Sequence, residues 1–189
     1  EVMLPSFSFV ATANAVRYCG ATPHFIDIDE FSLGIDPHKL DAYLSDLVLM
    51  ENGLAVNIKT KKPIRAIIVM HTYGQPVDMQ KVVNVAYKYG LPVVEDAAEA
   101  LGSYYSGQHV GALGQVGAFS FNGNKTITTG GGGAVVTNDE ALFMRVKHIG
   151  TTAKVSHSFE LSHDAVGYNY RMPNVNAAIG LGQIEKINN

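Results

Sequence analysis

A lysine and an aspartate stand in the sequence where each could act on a bound ring. Lys125 lies in the segment 120–126 (SFNGNKT), shortly before four glycines at 130–133. Asp96 ends the apolar segment 93–96 (VVED), where a bare charge is costly unless it meets a partner. A lysine amine forms a Schiff base with an aldehyde, and a carboxylate keeps a pyridine nitrogen protonated so that the ring accepts electrons. The pair therefore predicts pyridoxal phosphate chemistry.

Both residues also have ordinary structural explanations, which the sequence leaves open. A glycine-rich segment after a strand can be a simple turn, and a carboxylate at a strand end can cap a helix or form an ion pair. Lys125 precedes the glycines and no GK[ST] follows, which excludes a Walker loop. Ser120 lies in no G-x-S-x-G, which argues against a serine hydrolase.

Three further residues could lie near such a ring. Phe9 follows a predicted strand, where an aromatic can stack on a flat cofactor or pack in the core. Glu99 comes three residues after Asp96 and would lie beside it if a helix starts there. His71 follows a predicted buried strand, and we expect it to face a site. The other histidines do not have the spacing of metal ligands, so we expect no metal site. They are His24, His38, His109, His148, His157 and His163.

The composition is that of an ordinary globular domain. The 189 residues are 47% hydrophobic and 16% charged, with a net charge of −3. Basic residues are scattered, which predicts no nucleic-acid partner, and no apolar run approaches the ~20 residues of a membrane span. Cys19 is the single cysteine, so an internal disulfide is excluded, and its apolar surroundings predict a buried position.

Short β-branched segments alternate with amphipathic ones. Strands are predicted at 2–4, 23–28, 66–70, 93–95, 118–121 and 134–137, and helices at 8–18, 36–47, 78–89, 139–149 and 173–187. This alternation predicts an α/β domain whose largely parallel sheet carries helices on both faces. Ligands bind at the carboxyl ends of such strands, where Asp96, Asn122 and Lys125 fall. Residues 50–63 are typical of an inserted hairpin at the surface.

Four segments together resemble the DegT/StrS family of pyridoxal phosphate-dependent nucleotide-sugar aminotransferases. They are 4–12 (LPSFSFVAT), 95–99 (EDAAE), 120–125 (SFNGNK) and 168–172 (YNYRM). The resemblance covers nearly the whole chain and implies an aspartate-aminotransferase-type large domain of PLP fold type I. It also implies a homodimer with active sites at the subunit interface. We expect a cytoplasmic protein, and the composition gives no reason to expect a membrane or nucleic-acid partner. Residues 1–189 would be this large domain cut at both ends, lacking an N-terminal segment and a small C-terminal domain.

The resemblance assigns roles around the cofactor ring. Lys125 is implied to be the lysine that binds the cofactor covalently and moves protons during transamination. Asp96 is implied to pair with the pyridine nitrogen, and Phe9 to stack on the ring. Glu99 stands at the position next to the ring hydroxyl, where relatives commonly carry glutamine or histidine.

Further matches concern the cofactor phosphate and the lysine loop. The resemblance implies that Ser120 contacts the phosphate and that Asn169 reaches the phosphate of the neighbouring subunit's cofactor. Asn122, which we also expect to contact the cofactor, stands where many relatives carry histidine. The glycine run likewise lacks the acid found in many relatives. The retained lysine argues against members of the family that carry histidine there and perform dehydration.

Within the family, three features resemble a branch linked to bacillosamine-type and legionaminic acid pathways: the start 4–7 (LPSF), the loop 121–125 (FNGNK) and the lysine-bearing insertion. That branch aminates the 4-keto carbon of a UDP-4-keto-6-deoxy-N-acetylhexosamine by a ping-pong mechanism, with L-glutamate as the amino donor, for bacterial surface glycans. Two alternatives stay open. One is a transaminase of another keto-sugar nucleotide, such as the GDP-perosamine type, and the other is a non-catalytic binding or regulatory module of the same fold.

Overall fold

The chain folds as two units, Glu1–Phe119 and Ser120–Asn189. The computed structural model describes residues 1–156 and 159–187, and His157 lies outside them. None of the helices in the described residues combines the length and apolar character that crossing a bilayer requires.

Strands and helices alternate along the chain. In order they are β1 Val2–Pro5, α1 Val10–Tyr18, β2 Pro23–Ile26, α2 Pro37–Leu47, β3 Val48–Glu51, β4 Leu54–Asn57, β5 Ala66–Met70, α3 Met79–Lys88, β6 Val93–Asp96, β7 Tyr104–Tyr105, β8 Gln108–His109, β9 Val116–Ser120, β10 Gly133–Val136, α4 Glu140–Gly150 and α5 Asn174–Ile184. A single 3₁₀ turn, Thr72–Gly74, follows β5. The predicted α/β class is confirmed, with shifts of two or three residues at several element ends.

The sheet of the first unit has the order β9-β6-β5-β1-β2. The pairs β1–β2, β1–β5, β5–β6 and β6–β9 are all parallel. The carboxyl ends of these strands therefore meet at one edge of the sheet, which is where Pro5, Met70 and Asp96 lie. This edge is the place where open parallel sheets bind ligands.

Acidic residues start three of the helices. The carboxylate of Asp36 accepts the backbone N–H of His38 and Lys39. Asp78 and Asp139 accept from the third residue beyond them in the same way. These bonds satisfy amides that have no partner within a helix, and they fix where α2, α3 and α4 begin.

The core lies where the sheet packs against α2 and α3. Its members come from strands and helices alike, among them Met3, Ile67, Val69, Leu40, Leu44, Val82 and Ala86. Leu4 is also fully buried but lies outside this cluster. Since successive strand residues point to opposite faces, β1 buries side chains on both sides, as the central strand of a covered parallel sheet does.

The predicted hairpin is confirmed, but it is more than a solvated surface insertion. β3 and β4 pair in antiparallel fashion, and Leu49 and Leu54 are exposed. Ala55 and Asn57 are buried, however, and the Asn57 amide donates to the carboxylate of Glu1 over 2.8 Å. The hairpin thus contributes one of its faces to the packing of the first unit.

The expectation that Cys19 is buried is wrong, because its side chain is exposed. The buried positions of α1 are Thr12 and Val16, one turn apart. Cys19 ends the helix, and Gly20 turns the chain away with a φ of 72°. The cysteine therefore falls just beyond the buried stripe of the helix.

A fully buried carboxylate ties three segments of the first unit together. Glu95 is 0% exposed, and its two oxygens accept four hydrogen bonds of 2.5–3.0 Å. The donors are the ring of His71 and the backbone N–H groups of Gly111, Leu113 and Gly114. A carboxylate has about four lone-pair positions, so this set saturates it.

Two glycines permit this close packing. A Cβ on Gly114 would lie 2.6 Å from the carbonyl oxygen of Val93, and one on Gly117 would overlap the carbonyl of Gly111. Either side chain would push the loop away from β6. The loop between β8 and β9 can donate to Glu95 only because these positions lack a side chain.

The hydrogen bonds also set the titration of Glu95. Burial raises the pKa of Glu95, but the bonds from His71 and from the amides of Gly114 and Gly111 outweigh it. The pKa therefore lies below its ordinary value of 4.5. A carboxylate with a lowered pKa stabilises the fold above its unfolded-state value and loses that contribution as the pH falls through the folded-state value.

We expect Glu95→Gln to lower the free energy of unfolding at pH 7 by about 3 kcal/mol. The neutral amide would point its own N–H at one of the four donors, and it would no longer carry the charge that those donors stabilise. The difference from wild type should shrink as the pH falls from 4.5 through the lowered pKa of Glu95. Urea unfolding between pH 7 and pH 3 measures both effects. Glu51→Gln, at an exposed position, is the matched control. A difference that stays constant with pH would contradict this account.

Candidate functional site

Asp96 is the last residue of β6 and is partly buried at the edge of the sheet where the parallel strands end. One carboxylate oxygen accepts the hydroxyl of Thr12 over 2.5 Å, and the other accepts the backbone N–H of Ala98 over 3.1 Å. Each oxygen keeps a lone pair for one more donor. A protonated ring nitrogen is a donor that would complete this set.

Thr12 is a residue that the sequence did not single out. It lies on α1, is 6% exposed, and comes 84 positions before Asp96. The signal available in the sequence was weak, since a threonine near a helix start usually serves the helix itself. Its partner could be found only after β6 and α1 had been placed.

Phe9 is the residue that precedes α1, and its side chain is 65% exposed. The backbone N–H of Thr12 donates to the carbonyl of Phe9, so the aromatic and the hydroxyl belong to the same first turn. The alternative that Phe9 packs in the core does not hold for this chain. Its open ring is available to a flat ligand.

Glu99 does not lie on a helix with Asp96, because residues 97–100 form a turn closed by Ala100 and Ala97. One oxygen of the Glu99 carboxylate accepts the backbone N–H of Tyr73 over 2.8 Å. This bond joins the turns that follow β5 and β6. Glu99 therefore stays at the same sheet edge as Asp96, held by a different set of contacts.

Tyr73 itself is an unusual residue at this edge. Its φ is 52°, a left-handed conformation that is rare for an aromatic residue, and its side chain is 73% exposed. The ring meets that of Phe7 edge to face, with centroids 6.3 Å apart. Strained backbone of this kind clusters at functional sites.

The expectation that His71 faces a site is wrong. The ring is 0% exposed, and both nitrogens have partners within the first unit. Nδ1 accepts the backbone N–H of Val77 over 3.2 Å, so the ring proton lies on Nε2 and is donated to Glu95 over 3.0 Å. His71 therefore holds the end of β5 beside β6, and it does not face the edge of the sheet where Asp96 lies.

The second unit holds the lysine loop. Ser120 ends β9, and its hydroxyl accepts the backbone N–H of Asn122 over 3.3 Å. The carbonyl of Asn122 in turn accepts the backbone N–H of Lys125 over 3.1 Å, and Lys125 is half-buried. The structure thus brings three predicted residues, Ser120, Asn122 and Lys125, into one tight turn.

Two amide side chains from α5 hold the continuation of this loop. Gln183 pairs with the backbone of Thr128 in both directions, accepting its N–H over 2.9 Å and donating to its carbonyl over 2.8 Å. Asn176 donates to the carbonyl of Thr129 over 2.6 Å. Gln183 therefore acts toward the loop as a neighbouring strand would.

Sequence reasoning missed these two amides, although a signal exists. Asn176, Gly180 and Gln183 are spaced as one face of a helix. A Cβ on Gly180 would lie 2.8 Å from the side chain of Thr129, so the glycine lets α5 approach the loop. Two amides and a glycine along one stripe of an apolar helix indicate a face that contacts backbone.

Asn169 lies elsewhere in the second unit and is exposed. It forms an isolated bridge with Thr151, and the rings of Tyr168 and Tyr170 stack with centroids 5.1 Å apart. Asn169 lies between two residues whose rings share one side of the chain. Its predicted contact with a second subunit stays a prediction, as does the pairing of Asp96 in the first unit with Lys125 in the second.

The sequence profile of the DegT/DnrJ/EryC1/StrS aminotransferase family matches residues 1–189. This chain belongs to that family. The match extends over both units, so the resemblance seen in the four motifs is confirmed at the level of the family.

Individual members of the aminotransferase family show how far the likeness goes. The GDP-perosamine synthase of Escherichia coli O157:H7 is 42% identical over 186 residues, which are 98% of this chain and 46% of that protein. The UDP-N-acetyl-3-dehydro-alpha-D-glucosamine 3-aminotransferase of Acidithiobacillus ferrooxidans is 37% identical over 180 residues, 95% of this chain and 44% of its own length. The chain thus spans less than half the length of these curated relatives.

A solved aminotransferase structure has the same fold. Helicobacter pylori PseC, described as an aminotransferase involved in the biosynthesis of pseudoaminic acid, superposes with a TM-score of 0.85 at 31% identity. The match covers 99% of this chain and 46% of that one. The aminotransferase-type α/β fold predicted from the sequence is confirmed.

In this family member, we expect Gln183→Glu to loosen the lysine loop. The carboxylate can still accept the N–H of Thr128 but cannot donate to its carbonyl, and it places a charge against that oxygen. Exchange of the Thr128 amide hydrogen should accelerate by about tenfold, the equivalent of about one hydrogen bond. Gln108→Glu makes the same chemical change at an exposed position of the first unit and should leave this exchange rate unaltered. An unchanged rate in Gln183→Glu would mean that the loop holds itself.

Proposed function

We propose that this chain carries cofactor-binding and catalytic residues of a pyridoxal phosphate-dependent aminotransferase that acts on the keto sugar of a nucleotide sugar. The observation that carries the proposal is the carboxylate of Asp96 at the ligand edge of the sheet, held by two donors with a lone pair left on each oxygen. Family membership and the half-buried Lys125 in a tight turn support it.

The residues of the first unit fit the ring of this cofactor. Asp96 offers a carboxylate to the protonated ring nitrogen, and the exposed ring of Phe9 offers a flat apolar surface. Glu99 is assigned to the neighbourhood of the ring hydroxyl, since its carboxylate is fixed at the same edge by Tyr73. When bound, pyridoxal phosphate supplies an aldehyde for amine exchange and a ring that accepts electrons.

The residues of the second unit are assigned to the phosphate and to proton transfer. Ser120 offers a hydroxyl and Asn122 an amide to the phosphate end of the cofactor. The Nζ atom of Lys125 is assigned to take a proton from the substrate carbon and return it, a role for which a positioned amine is suited. Asn169 is assigned to the site of a second copy of the chain, in a homodimer.

The amino donor that we propose is L-glutamate, and the acceptor is a sugar ketone. The sequence motifs favour a UDP-4-keto-6-deoxy-N-acetylhexosamine as acceptor. A GDP-linked keto sugar is the second candidate, because relatives 42% and 41% identical carry the name GDP-perosamine synthase. Similarity at 37% to a UDP-sugar 3-aminotransferase supports the general substrate class and leaves the ring position to experiment.

We expect the full-length protein to develop a visible absorbance band with added pyridoxal phosphate, which glutamate then removes. Lys125→Ala should abolish the band and lower turnover by about 10³-fold or more, because the reactive amine is gone. Lys59→Ala removes an exposed lysine of the first unit and should behave as wild type. Thermal unfolding verifies that both variants fold. Retained turnover in Lys125→Ala would overturn the assignment.

The acceptor is tested by steady-state kinetics with the two nucleotide sugars side by side. Glutamate is the donor, and the acceptors are a UDP-linked 4-keto-6-deoxy-N-acetylhexosamine and a GDP-linked 4-keto-6-deoxyhexose. We expect kcat/KM to differ by about tenfold to a hundredfold between them, the range that a few pocket contacts provide. Amination of neither sugar, in a protein that reacts with glutamate, would overturn the nucleotide-sugar proposal and leave the first half-reaction standing.

A further inference from the structure

The bond between Thr12 and Asp96 connects two elements that are distant in sequence. The O–H···O distance of 2.5 Å lies at the short end of the range for a hydroxyl that donates to a carboxylate. Asp96 receives one further bond, from Ala98 two residues along its own chain. The Thr12 hydroxyl is therefore the only long-range donor recorded for this carboxylate in the described residues.

An ordinary helix threonine would behave differently. In helices the hydroxyl usually bonds to a carbonyl one turn earlier or points to solvent. Thr12 is 6% exposed, and its hydroxyl leaves the helix to reach the end of β6. A local role in α1 does not account for that direction.

The Asp96 side chain needs such a restraint. The Asp96 carboxylate is oriented by two side-chain torsions, and Asp96 is only partly buried, so packing alone does not select one rotamer about the first torsion or one orientation about the second. The Ala98 N–H fixes one oxygen, and the Thr12 hydroxyl fixes the other. Together they define where the two remaining lone pairs point.

We propose that Thr12 is the positioning residue of Asp96: its hydroxyl holds the carboxylate in one orientation before the ring nitrogen arrives. This inference rests on the proposed function for its catalytic consequence, whereas the orientation itself is a property of the protein alone. Phe9 begins the same helical turn, so α1 presents the aromatic and positions the carboxylate as one rigid piece. Groups held in place beforehand need no reorganisation when the reaction occurs.

The test compares Thr12→Val, which keeps the shape and loses the hydroxyl, with Thr12→Ser, which keeps the hydroxyl. In the cofactor-free full-length protein, three-bond NMR couplings from the Asp96 carboxyl carbon to its backbone nitrogen and carbonyl carbon report the first side-chain torsion. We expect a single rotamer in wild type and Thr12→Ser, and averaged couplings in Thr12→Val. Thermal unfolding verifies that both variants fold.

Kinetics of the glutamate half-reaction give the second measurement. Thr12→Val should lower its maximal rate by about tenfold with little change in the glutamate concentration at half-saturation, because a misaligned group affects the reaction more than substrate binding. Thr12→Ser should recover most of that rate. In an Asp96→Asn background, Thr12→Val should have no further effect beyond about twofold, since the two residues act as one unit.

The outcomes separate this proposal from the proposed function. A single Asp96 rotamer in Thr12→Val would overturn the positioning role, whether or not the protein binds pyridoxal phosphate. Averaged couplings in both variants would mean that the hydroxyl alone does not hold the carboxylate and would overturn it as well. Averaging in Thr12→Val alone supports the role, and a wild-type protein inert toward pyridoxal phosphate would then count against the proposed function only.

Discussion

The four hydrogen bonds to Glu95 are the interaction on which the first unit depends. A bare carboxylate at 0% exposure would be strongly destabilising, and every lone pair here has a donor. Those donors come from the end of β5 and from the loop before β9. One charge thus aligns the neighbours of β6 on both sides, and the edge of the sheet that carries Asp96 is fixed as a result.

Adjacent acids on one strand have opposite environments because strand residues alternate between faces. Glu95 points into the protein and is saturated, while Asp96 lies at the edge with a lone pair left on each oxygen. The first acid makes the strand end rigid, and the second is available to a ligand. The same arrangement explains why the ring of His71, which follows the neighbouring strand, bonds to Glu95 inside the unit and does not face the edge where Asp96 lies.

The sequence predicted what depends on local patterns. The strand that ends in Asp96, the helices α2 and α3, and the loop with Lys125 all follow from spacing and residue type. What it could not predict depends on partners that are distant along the chain. Burial of Glu95 requires amides beyond position 110, and the partner of Thr12 lies 84 residues away. The predicted burial of Cys19 is wrong for a more local reason, because Cys19 lies just past the last residue of α1 and outside the buried stripe of that helix.

The pairing of Gln183 with Thr128 has a consequence for how the protein is made. The backbone of Thr128, in the loop that carries Lys125, is hydrogen-bonded to the side chain of Gln183 on α5, 55 residues further along the chain. A ribosome that adds about 5–20 residues per second exposes the loop several seconds before α5 follows it. During synthesis the lysine loop is therefore complete in sequence but incomplete in hydrogen bonding, and these bonds form only after α5 has been synthesised.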